Sequence, residues 1–312
     1  MRLLVTGGLG FIGSHLVESL SKKNYEILIL TKSLSKQSNL SNLNKNIKIK
    51  KVDITNFNKV GKIIETFKPN MIIHLAGNTS HSKSFEKPLQ DVDSNTKSTL
   101  FMLEKIRQLK IQCKFILGST FIVIGKPKKL PVTEKSSCNP TTIYGTNRLA
   151  SEHLCKIYHE LYGINTNIFR ITNSYGPREQ IIPNKNAVNF LIHKAFMKEK
   201  ISIYNKGEFF RDLIFVDDVI SGITAIINKG KPGELYWISS GKKLWFKNFA
   251  KLLNKYTQCK VDYPPTPNYT KKVDVGNFVV NNSKLKKLGW QPKISIDEGI
   301  KKTLIFFEKS KQ

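Results

Sequence analysis

Short apolar runs alternate with amphipathic stretches over the first half of the chain. The runs are rich in Ile, Leu and Val and mostly lack polar–apolar alternation, which is typical of strands covered by helices on both faces. After a first run at 3–5, they predict strands at Glu26–Thr31, Ile47–Val52, Met71–Ala76, Cys113–Leu117 and Thr166–Arg170. The stretches between them predict helices at Phe11–Lys23, Asn56–Phe67, Asp93–Leu109 and Tyr144–Tyr162. This alternation indicates an α/β fold with a doubly wound parallel sheet.

The pattern is less regular after Pro177. It predicts a helix near Ala187–Glu199, a strand near Leu213–Val216, a helix from Asp217, a loop at Tyr263–Asn268, and helices at Lys247–Tyr256 and Ile296–Glu308. No repeat or flexible linker separates the two parts of the chain. We therefore expect a first domain at 1–176 and a smaller α/β part at 177–312 that packs directly on it, with a ligand cleft at the carboxyl ends of the strands.

A glycine-rich turn lies between the first strand and the first helix. The run from Thr6 to Gly13 carries a Gly-x-Gly-x-x-Gly pattern. Residues without a Cβ allow the backbone to reverse tightly and to come close to a pyrophosphate. The free N–H groups of the turn and the helix N-terminus would hold that anion. The strand–turn–helix setting therefore predicts a Rossmann domain that binds a dinucleotide.

The composition is typical of a globular protein without a membrane span. The 312 residues are 40% hydrophobic, and no apolar run reaches the roughly 18 residues that a membrane span needs. The N-terminus is already strand and turn, without the pattern of a signal peptide. Four widely spaced cysteines favour reduced thiols in a cytoplasmic protein. The six histidines lack metal-ligand spacing, so we expect no metal site.

A formal net charge of +28 raises the question of a nucleic-acid partner. The lysines are spread along the whole chain, and no RNA-binding signature or arginine-rich tail accompanies them. We therefore expect a solvated basic surface that attracts an anionic substrate, and no nucleic-acid partner.

Three side chains suggest acid–base chemistry. Tyr144 and Arg148 are four residues apart at the start of a predicted helix and therefore share one face. A neighbouring cation favours loss of the phenolic proton. The run from Leu117 to Thr120 ends a predicted strand and places hydroxyl groups at the carboxyl edge of the sheet. Together these groups predict a site that exchanges a proton with a sugar hydroxyl while a hydride leaves the carbon.

A series of motifs occurs in a fixed order along the chain. After the run from Thr6 to Gly13 come Asp53-Ile54, His74 to Gly77, Asn95, Ser119-Thr120, Val123 to Gly125, Tyr144 to Arg148, Arg170 to Pro177, Arg211-Asp212 and Leu288 to Pro292. In these motifs the chain resembles, over nearly its whole length, the extended short-chain dehydrogenases of the NAD-dependent nucleotide-sugar epimerase/dehydratase family, and in particular the UDP-glucose 4-epimerases.

The resemblance implies NAD or NADP as cofactor, a nucleotide-diphosphate sugar as substrate and a homodimer. It implies a cofactor-binding set of Gly7, Gly10, Phe11, Ile12, Gly13, Thr31, Lys32, Asp53, Ile54, Leu75, Ala76, Gly77, Asn95, Tyr144 and Arg148. The implied catalytic residues are Thr120, Tyr144 and Arg148. The implied substrate-binding residues are Thr79, Ser84, Thr120, Asn173 and Arg211.

Two departures from the family pattern concern catalysis and the cofactor. Arg148 stands where the family has lysine; it keeps the positive charge, but a planar guanidinium is not an ammonium. Thr31 and Lys32 stand where NAD-preferring members have an acidic residue for the adenosine ribose. Lys32 is either a contact for a 2′-phosphate or one more surface lysine, so both NAD and NADP stay open.

Two further departures concern the substrate. Phe121 and Ile122 stand where the 4,6-dehydratases have Asp-Glu, and apolar side chains transfer no proton, which argues against dehydration. Thr266 stands where UDP-hexose epimerases have arginine, so Lys271 or Lys272 is expected to supply the charge and the nucleotide stays open.

From these observations we expect a 4-epimerase of the UDP-glucose/UDP-galactose type, in which Tyr144 takes the proton of the C4 hydroxyl with help from Thr120. One alternative is an NADPH-dependent 4-keto-6-deoxy-sugar nucleotide reductase, which Thr31 and Lys32 favour. The other is a non-catalytic dinucleotide-binding protein, which Arg148 favours.

Overall fold

Strands and helices alternate along the first half of the structure, as the apolar pattern predicts. The computed structural model describes residues 1–40, 46–182 and 186–310. Its strands are β1 (Arg2–Thr6), β2 (Glu26–Thr31), β3 (Ile47–Lys51), β4 (Met71–His74), β5 (Lys114–Thr120), β6 (Thr166–Ile171), β7 (Asn173–Tyr175), β8 (Ile201–Ser202), β9 (Phe210–Arg211), β10 (Leu213–Phe215), β11 (Leu235–Ile238), β12 (Leu244–Trp245) and β13 (Val261–Asp262). Its α-helices are α1 (Phe11–Ser21), α2 (Phe57–Phe67), α3 (His81–Glu86), α4 (Pro88–Asp91), α5 (Ser98–Leu109), α6 (Ile143–Tyr162), α7 (Ala187–Phe196), α8 (Val216–Lys229), α9 (Phe246–Thr257), α10 (Asn268–Val273), α11 (Ser283–Lys286) and α12 (Ile296–Lys309).

A seven-stranded parallel sheet forms the centre of the molecule. Its strand order is β11-β6-β5-β4-β1-β2-β3. The chain first builds outward from β1 to β3, and then crosses back to place β4 on the other side of β1. This reversal is the point at which open α/β sheets bind ligands, at the carboxyl ends of the strands. The predicted doubly wound α/β fold is confirmed.

The two faces of the sheet are covered by different helices. Successive residues of a strand point to opposite faces. On β1, Leu3 and Val5 belong to a core shared with α1 and α8, whereas Leu4 belongs to a core shared with α2, α5 and α6. All three side chains are fully buried. Burial on both faces explains why this strand is a continuous apolar run instead of an alternating one.

The sheet does not end where the first domain was predicted to end. Its outermost strand, β11, lies beyond residue 176 and pairs in parallel with β6, where Leu235 faces Ile168. Helix α8, which precedes β11, packs on α1. The predicted boundary at 176 therefore does not coincide with the end of the central sheet. The strand Leu235–Ile238 was not predicted, because it lies in the part of the chain where the apolar pattern is less regular.

The smaller part of the structure consists mainly of α7, α9 and α12, which pack on one another. Three two-stranded sheets accompany these helices, pairing β7 with β10, β8 with β13 and β9 with β12. The four cysteines have free thiols, as expected. None of the helices described is both long and apolar enough to cross a bilayer.

Candidate active site

A single cleft of about 2110 Å³ contains nearly all of the predicted site residues. Sites for one small ligand usually have roughly 300–1,000 Å³, so this cleft has room for two ligands together. Its lining includes every residue of the predicted cofactor-binding, catalytic and substrate-binding sets except Ser84. Ser84 is fully buried, and its hydroxyl donates to the carbonyl oxygen of His81 at 2.7 Å. The structure thus places Ser84 behind the lining.

The three glycines of the β1–α1 turn meet different requirements. Gly7 has a φ of +71°, and a Cβ on it would lie 2.9 Å from the backbone nitrogen of Ala76. A Cβ on Gly13 would lie 2.2 Å from the carbonyl oxygen of Gly7. Both glycines are therefore needed to pack the turn. A Cβ on Gly10 would lie 3.2 Å from the carbonyl oxygen of Gly7, a tight contact but a much looser one than those at Gly7 and Gly13.

The N–H groups that follow Gly10 at the start of α1 have no side-chain cap. Helix α1 begins at Phe11, and Gly10 provides no side chain to cap its first N–H groups. The first turn of α1 also carries no acidic residue. Free N–H groups and the positive end of a helix dipole attract an anion. The turn therefore fits the pyrophosphate of a dinucleotide.

A buried histidine ties this turn to the neighbouring loop. His74 Nδ1 lies 2.7 Å from the Thr6 hydroxyl, and Nε2 lies 3.2 Å from the Ser98 hydroxyl. The Ser98 hydroxyl donates to the carbonyl oxygen of Ser94, and Thr6 Oγ1 accepts from the Ala76 N–H. Because the Ser98 hydroxyl donates to Ser94, His74 donates from Nε2, and in the neutral imidazole Nδ1 then accepts from the Thr6 hydroxyl. Burial lowers the pKa of His74 to about 3, and the charge of Arg148 acts in the same direction.

The carboxyl ends of β2 and β3 form one end of the cleft. Lys32 Nζ lies 2.9 Å from Asp53 Oδ2. Asp53 Oδ1 also accepts hydrogen bonds from the backbone and the hydroxyl of Thr55, at 3.0 and 2.9 Å. Partial burial favours the neutral acid, but the contacts with Lys32 and Thr55 outweigh it and hold the pKa of Asp53 below its usual range.

A turn of π-helix at Val92–Lys97 presents Asn95 to the cleft. Such turns are rare and recur at functional sites. Asn95 Oδ1 accepts from Arg148 Nη1 at 3.3 Å, and Asn95 Nδ2 donates to the carbonyl oxygen of Asn78 at 3.2 Å. The buried Nε of Arg148 has no hydrogen-bond partner among the described residues. It therefore remains available to a bound hydroxyl or carbonyl group.

Thr120 and Tyr144 meet at the middle of the cleft. Thr120 is the last residue of β5, and Tyr144 lies in the first turn of α6. Burial raises the pKa of Tyr144, while the charge of Arg148 and a hydrogen bond with Thr120 oppose the rise. The predicted influence of Arg148 on the phenol is thus correct in sign, but burial outweighs it in the protein alone.

Two residues beside Tyr144 were missed by the sequence reasoning. The ring of His81 packs edge-on against the ring of Tyr144, with centroids 5.6 Å apart. Burial lowers the pKa of His81, and the Asp91 carboxylate acts in the opposite direction. Asp91 is almost fully buried and accepts from the amides of Asn78 and Asn147, at 2.6 and 2.7 Å. The available signal was a histidine two residues after Thr79, a predicted site residue.

A buried ion pair supports the end of β5. The Arg170 guanidinium contacts the Glu152 carboxylate at 2.6 Å, and both side chains are at most 3% exposed. The hydroxyl of Ser119 donates to Glu152 Oε1 at 2.5 Å. The guanidinium also lies over the ring of Trp237, 5.4 Å from its centroid. These contacts join α6 to β5 and β6, and so fix the backbone that carries Thr120.

Positive charge lines the opposite end of the cleft. Arg211 is 8% exposed, and its Nη2 lies 2.5 Å from Asp274 Oδ1. Burial lowers the pKa of Arg211, against the influence of Asp274. Lys271 and Lys272, on α10, line the cleft nearby. Asn173 Oδ1 is buried without a partner among the residues that the structure describes, so it can accept from a hydroxyl or N–H group of a ligand. The three cations at this end can hold an anion.

The comparison with known protein families gives one match over almost the whole chain. A family model described as GDP-mannose 4,6 dehydratase matches residues 4–303. The chain belongs to the NAD-dependent nucleotide-sugar epimerase/dehydratase family. Its fold is that of the extended short-chain dehydrogenases.

Curated relatives within this family divide between two activities. A putative UDP-glucose 4-epimerase of Methanocaldococcus jannaschii is 30% identical over 305 residues, which cover 97% of both chains. A dTDP-D-glucose 4,6-dehydratase of Homo sapiens is 30% identical over 324 residues, which cover 99% of this chain and 90% of the relative.

Solved structures of the family superpose closely on this chain. UDP-glucose 4-epimerase of Thermotoga maritima, crystallised with UDP-glucose, gives a TM-score of 0.91 at 29% identity and covers 100% of both chains. UDP-glucose 4-epimerase of Thermus thermophilus, in complex with NAD, gives a TM-score of 0.88 at 26% identity and covers 99% of both chains.

The member described here has an apolar wall next to the threonine. Phe121 and Ile122 follow Thr120 directly and line the cleft. Phe121 packs edge-on against Phe278, with ring centroids 5.2 Å apart. Neither side chain can transfer a proton, so this wall supplies no acid or base to a bound sugar.

Proposed function

We propose that this protein is a nucleotide-sugar 4-epimerase that uses NAD or NADP and acts on a UDP-hexose. The observation that carries the proposal is the meeting of Thr120, Tyr144 and Arg148 beside the apolar wall of Phe121 and Ile122. This arrangement offers one proton-transfer group for one carbon–oxygen centre, and the two residues that follow Thr120 supply no second one.

The dinucleotide would lie along the β1–α1 turn. The turn fits a pyrophosphate, and a structural relative 26% identical to this chain was crystallised with NAD. The backbone of Gly7, Gly10 and Gly13 would hold the pyrophosphate, while Asn95 and Arg148 would contact the nicotinamide half. A bound nicotinamide would supply the hydride acceptor and donor that epimerisation at a carbon requires.

The protein side of the reaction is proton transfer at the C4 oxygen of the sugar. Tyr144, as the phenolate, takes the proton of the C4 hydroxyl, and it returns the proton to the same oxygen when the carbon has changed configuration. The hydroxyl of Thr120 orients the C4 oxygen. Arg148 stabilises the phenolate, because it is the positive charge that opposes the raised pKa of Tyr144.

The nucleotide half of the substrate would bind at the positive end of the cleft. A guanidinium matches two phosphate oxygens in geometry, and Arg211 is already desolvated there. Lys271 and Lys272 add charge at the same end. A related epimerase, 29% identical to this chain, was crystallised with UDP-glucose. These features support a nucleoside diphosphate sugar as the substrate.

The first prediction concerns the type of reaction. Incubation with UDP-glucose, UDP-N-acetylglucosamine, dTDP-glucose and GDP-mannose should convert at least one substrate to an isomer of equal mass. Elimination would need an acid and a base beside Thr120, where the protein has Phe121 and Ile122. Chromatography coupled to mass spectrometry separates the outcomes, because a 4-keto-6-deoxy product is lighter by one water.

The Tyr144→Phe variant serves as the control for contaminating activity. Accumulation of the lighter product would contradict the proposal and show that the acid and base come from elsewhere in the cleft. Consumption of added NADPH by a 4-keto-sugar nucleotide, without isomerisation, would instead show a reductase. No turnover together with tight dinucleotide binding would show a binding protein.

A further inference from the structure

We propose that Cys138 is a site of reversible oxidation by hydroperoxides, and that the Arg170 guanidinium holds the oxygen that the sulfur gains. The inference goes beyond the proposed function, because Cys138 is not among the described residues that line the cleft and takes no part in the sugar chemistry. It assigns a modification site to the loop that precedes α6.

Cys138 is the most exposed of the four cysteines. It is half-buried, whereas Cys113, Cys155 and Cys259 are at most 5% exposed. Burial raises the pKa of Cys113 to about 12 and also raises the pKa of Cys155, so these two thiols stay protonated. A protonated, buried thiol is inert toward oxidants. Cys138 is therefore the cysteine that a small oxidant from solvent can reach.

A cation lies against the sulfur of Cys138. Arg170 Nη2 donates to Cys138 Sγ at 3.1 Å. Burial lowers the pKa of Arg170, but the contacts with Glu152 and Cys138 outweigh burial and raise the pKa, so the guanidinium keeps its charge. A neighbouring cation favours the thiolate, which is the form of a cysteine that attacks a peroxide.

The same guanidinium has an unused donor. Arg170 is 2% exposed, and its Nε and Nη2 donate to Glu152 at 2.9 and 2.6 Å. Its Nη1 has no hydrogen-bond partner among the described residues. In a planar guanidinium, one N–H of Nη1 and one N–H of Nη2 point in parallel from the end of the fork. Since the side of the fork faces Glu152, its end faces Cys138, and an oxygen bound to the sulfur would meet the unpaired Nη1.

The oxidation is a two-electron reaction with a hydroperoxide. The thiolate of Cys138 attacks the terminal oxygen of the peroxide, so that an S–O bond forms and the O–O bond breaks. The sulfur is oxidised to a sulfenate, the peroxide is reduced to an alcohol or to water, and the proton of the peroxide passes to the leaving oxygen. Two thiol molecules reverse the reaction. The first condenses with the sulfenic acid, releasing water and forming a mixed disulfide, and the second exchanges with that disulfide and restores Cys138.

Oxidation of Cys138 would act on the strand that carries the catalytic threonine. Glu152 accepts from Arg170 and from the Ser119 hydroxyl. Ser119 directly precedes Thr120 at the end of β5. An anionic oxygen beside Arg170 would compete with Glu152 for the guanidinium, because both are charge-assisted acceptors. We therefore expect oxidation to shift the end of β5 and to lower turnover without covering the cleft.

The first test locates the modification without measuring turnover. The full chain is treated with hydrogen peroxide and then with dimedone, which traps sulfenic acids, and its peptides are analysed by mass spectrometry. We expect at least about tenfold more adduct at Cys138 than at Cys113, Cys155 or Cys259, because thiolate character and exposure govern the reaction. Dithiothreitol added before dimedone should prevent the labelling. No adduct at Cys138, or equal adducts at all four cysteines, would overturn the site.

A pair of variants of equal shape tests the role of Arg170. Cys138→Asp places a carboxylate beside the guanidinium, and Cys138→Asn places a neutral amide there. If the fork holds an anionic oxygen, Cys138→Asp should unfold at a temperature at least about 2 °C above that of Cys138→Asn, as a charge-assisted hydrogen bond allows. An equal or lower unfolding temperature for Cys138→Asp would contradict the assignment to Arg170.

The effect on the reaction is measured with Cys138→Ser, whose hydroxyl a peroxide does not oxidise. After peroxide treatment, turnover of the wild type should fall severalfold and recover with dithiothreitol, whereas Cys138→Ser should keep its turnover. Losses of the same size in both proteins would overturn the effect on β5. Absence of turnover in the untreated protein would count against the proposed function alone, because the dimedone and unfolding measurements still decide the oxidation site.

Discussion

At the scale of single residues, the pKa of Tyr144 is raised by burial and lowered by a nearby positive charge. Burial makes ionisation of its phenol harder, and Arg148, one helical turn away, makes it easier. A ligand that displaces water from the cleft would change the first influence, whereas the second is fixed by the helix. Ligand binding can therefore alter how readily the Tyr144 hydroxyl, the proposed proton-transfer group, ionises.

The second prediction concerns this hydroxyl. Tyr144→Phe removes it and keeps the ring that packs against His81. We expect turnover to fall by about two orders of magnitude or more, as on loss of a general acid–base group, with nearly unchanged dinucleotide affinity. Steady-state kinetics and calorimetry measure the two effects. Tyr158→Phe is the control, because Tyr158 lies on the same helix and donates to Glu104 instead of facing the cleft. Near-normal turnover of Tyr144→Phe would remove this residue from the mechanism.

Local spacing predicted part of the site and could not predict the rest. Tyr144 and Arg148 are one helical turn apart, so their shared face followed from the sequence. The contact of His81 with Tyr144 and that of Arg211 with Asp274 join segments far apart in the chain. Such contacts depend on how the elements pack, which one sequence does not display.

At the scale of elements, the three glycines of the β1–α1 turn are needed for different reasons. Gly7 and Gly13 allow the turn to pack, since a Cβ on either would lie within 2.9 Å of backbone atoms. Gly10 has ordinary extended backbone angles, with φ −71° and ψ −179°, and a Cβ on it would lie 3.2 Å from the carbonyl oxygen of Gly7. The sequence motif alone treats the three positions alike.

The third prediction separates these tasks. Gly10→Val should fold with a modest loss of stability, because its extended backbone suits a β-branched residue while its Cβ would lie 3.2 Å from the carbonyl oxygen of Gly7. Its side chain should fill the anion site and abolish dinucleotide binding. Gly13→Ala should destabilise the fold, because its Cβ would lie 2.2 Å from the carbonyl oxygen of Gly7. Thermal unfolding and calorimetry test both variants. Unchanged dinucleotide affinity in a folded Gly10→Val protein would contradict the assignment of the turn as the pyrophosphate site.

The helix that carries Asn95 shows a limit of periodicity. The pattern predicted one helix over Asp93–Leu109, whereas the structure has a π turn at Val92–Lys97 followed by α5. A π turn adds one residue to a turn and shifts the faces that follow. The spacing of apolar residues cannot predict this shift. Asn95 is a buried polar residue, and its position is set by hydrogen bonds with Arg148 and Asn78.

At the scale of the whole molecule, the stability of the fold depends on pH through the buried His74, which is neutral in the folded protein. Its ordinary pKa of 6.5 falls to about 3 in the folded protein. The unfolded chain therefore binds the proton first as pH falls. The stability that depends on neutral His74 is fully present above pH 6.5 and is lost progressively as pH decreases toward 3.

The fourth prediction follows from this linkage. Between pH 6.5 and 4, the free energy of unfolding should decrease by up to about 1.4 kcal/mol per pH unit through this one group. His74→Gln, which cannot titrate, should have a shallower slope, measured by urea unfolding at several pH values. His153→Gln is the control, because His153 is exposed on α6. Equal slopes for the wild type and His74→Gln would show that His74 does not govern the acid sensitivity.

The overall architecture was predictable because its information is local. A continuous apolar run indicates a strand that is buried on both faces, as Leu3 and Leu4 of β1 illustrate. The outermost strand, β11, was not predicted, since its four residues follow a stretch with weaker periodicity. Its place beside β6 is set by the packing of α8 on α1, which is a property of the assembled fold.

The segment between β6 and β11 begins and ends in the central sheet, because β11 follows it in the sequence and pairs with β6. The chain leaves the sheet after β6, builds α7, β8 and β9, and returns through α8 to complete the same sheet. A polypeptide cut at 176 would leave the outer backbone edge of β6 unpaired and open to association with other chains. A single cleavage at this position would therefore not separate two self-contained units, because the central sheet is built from residues on both sides of it.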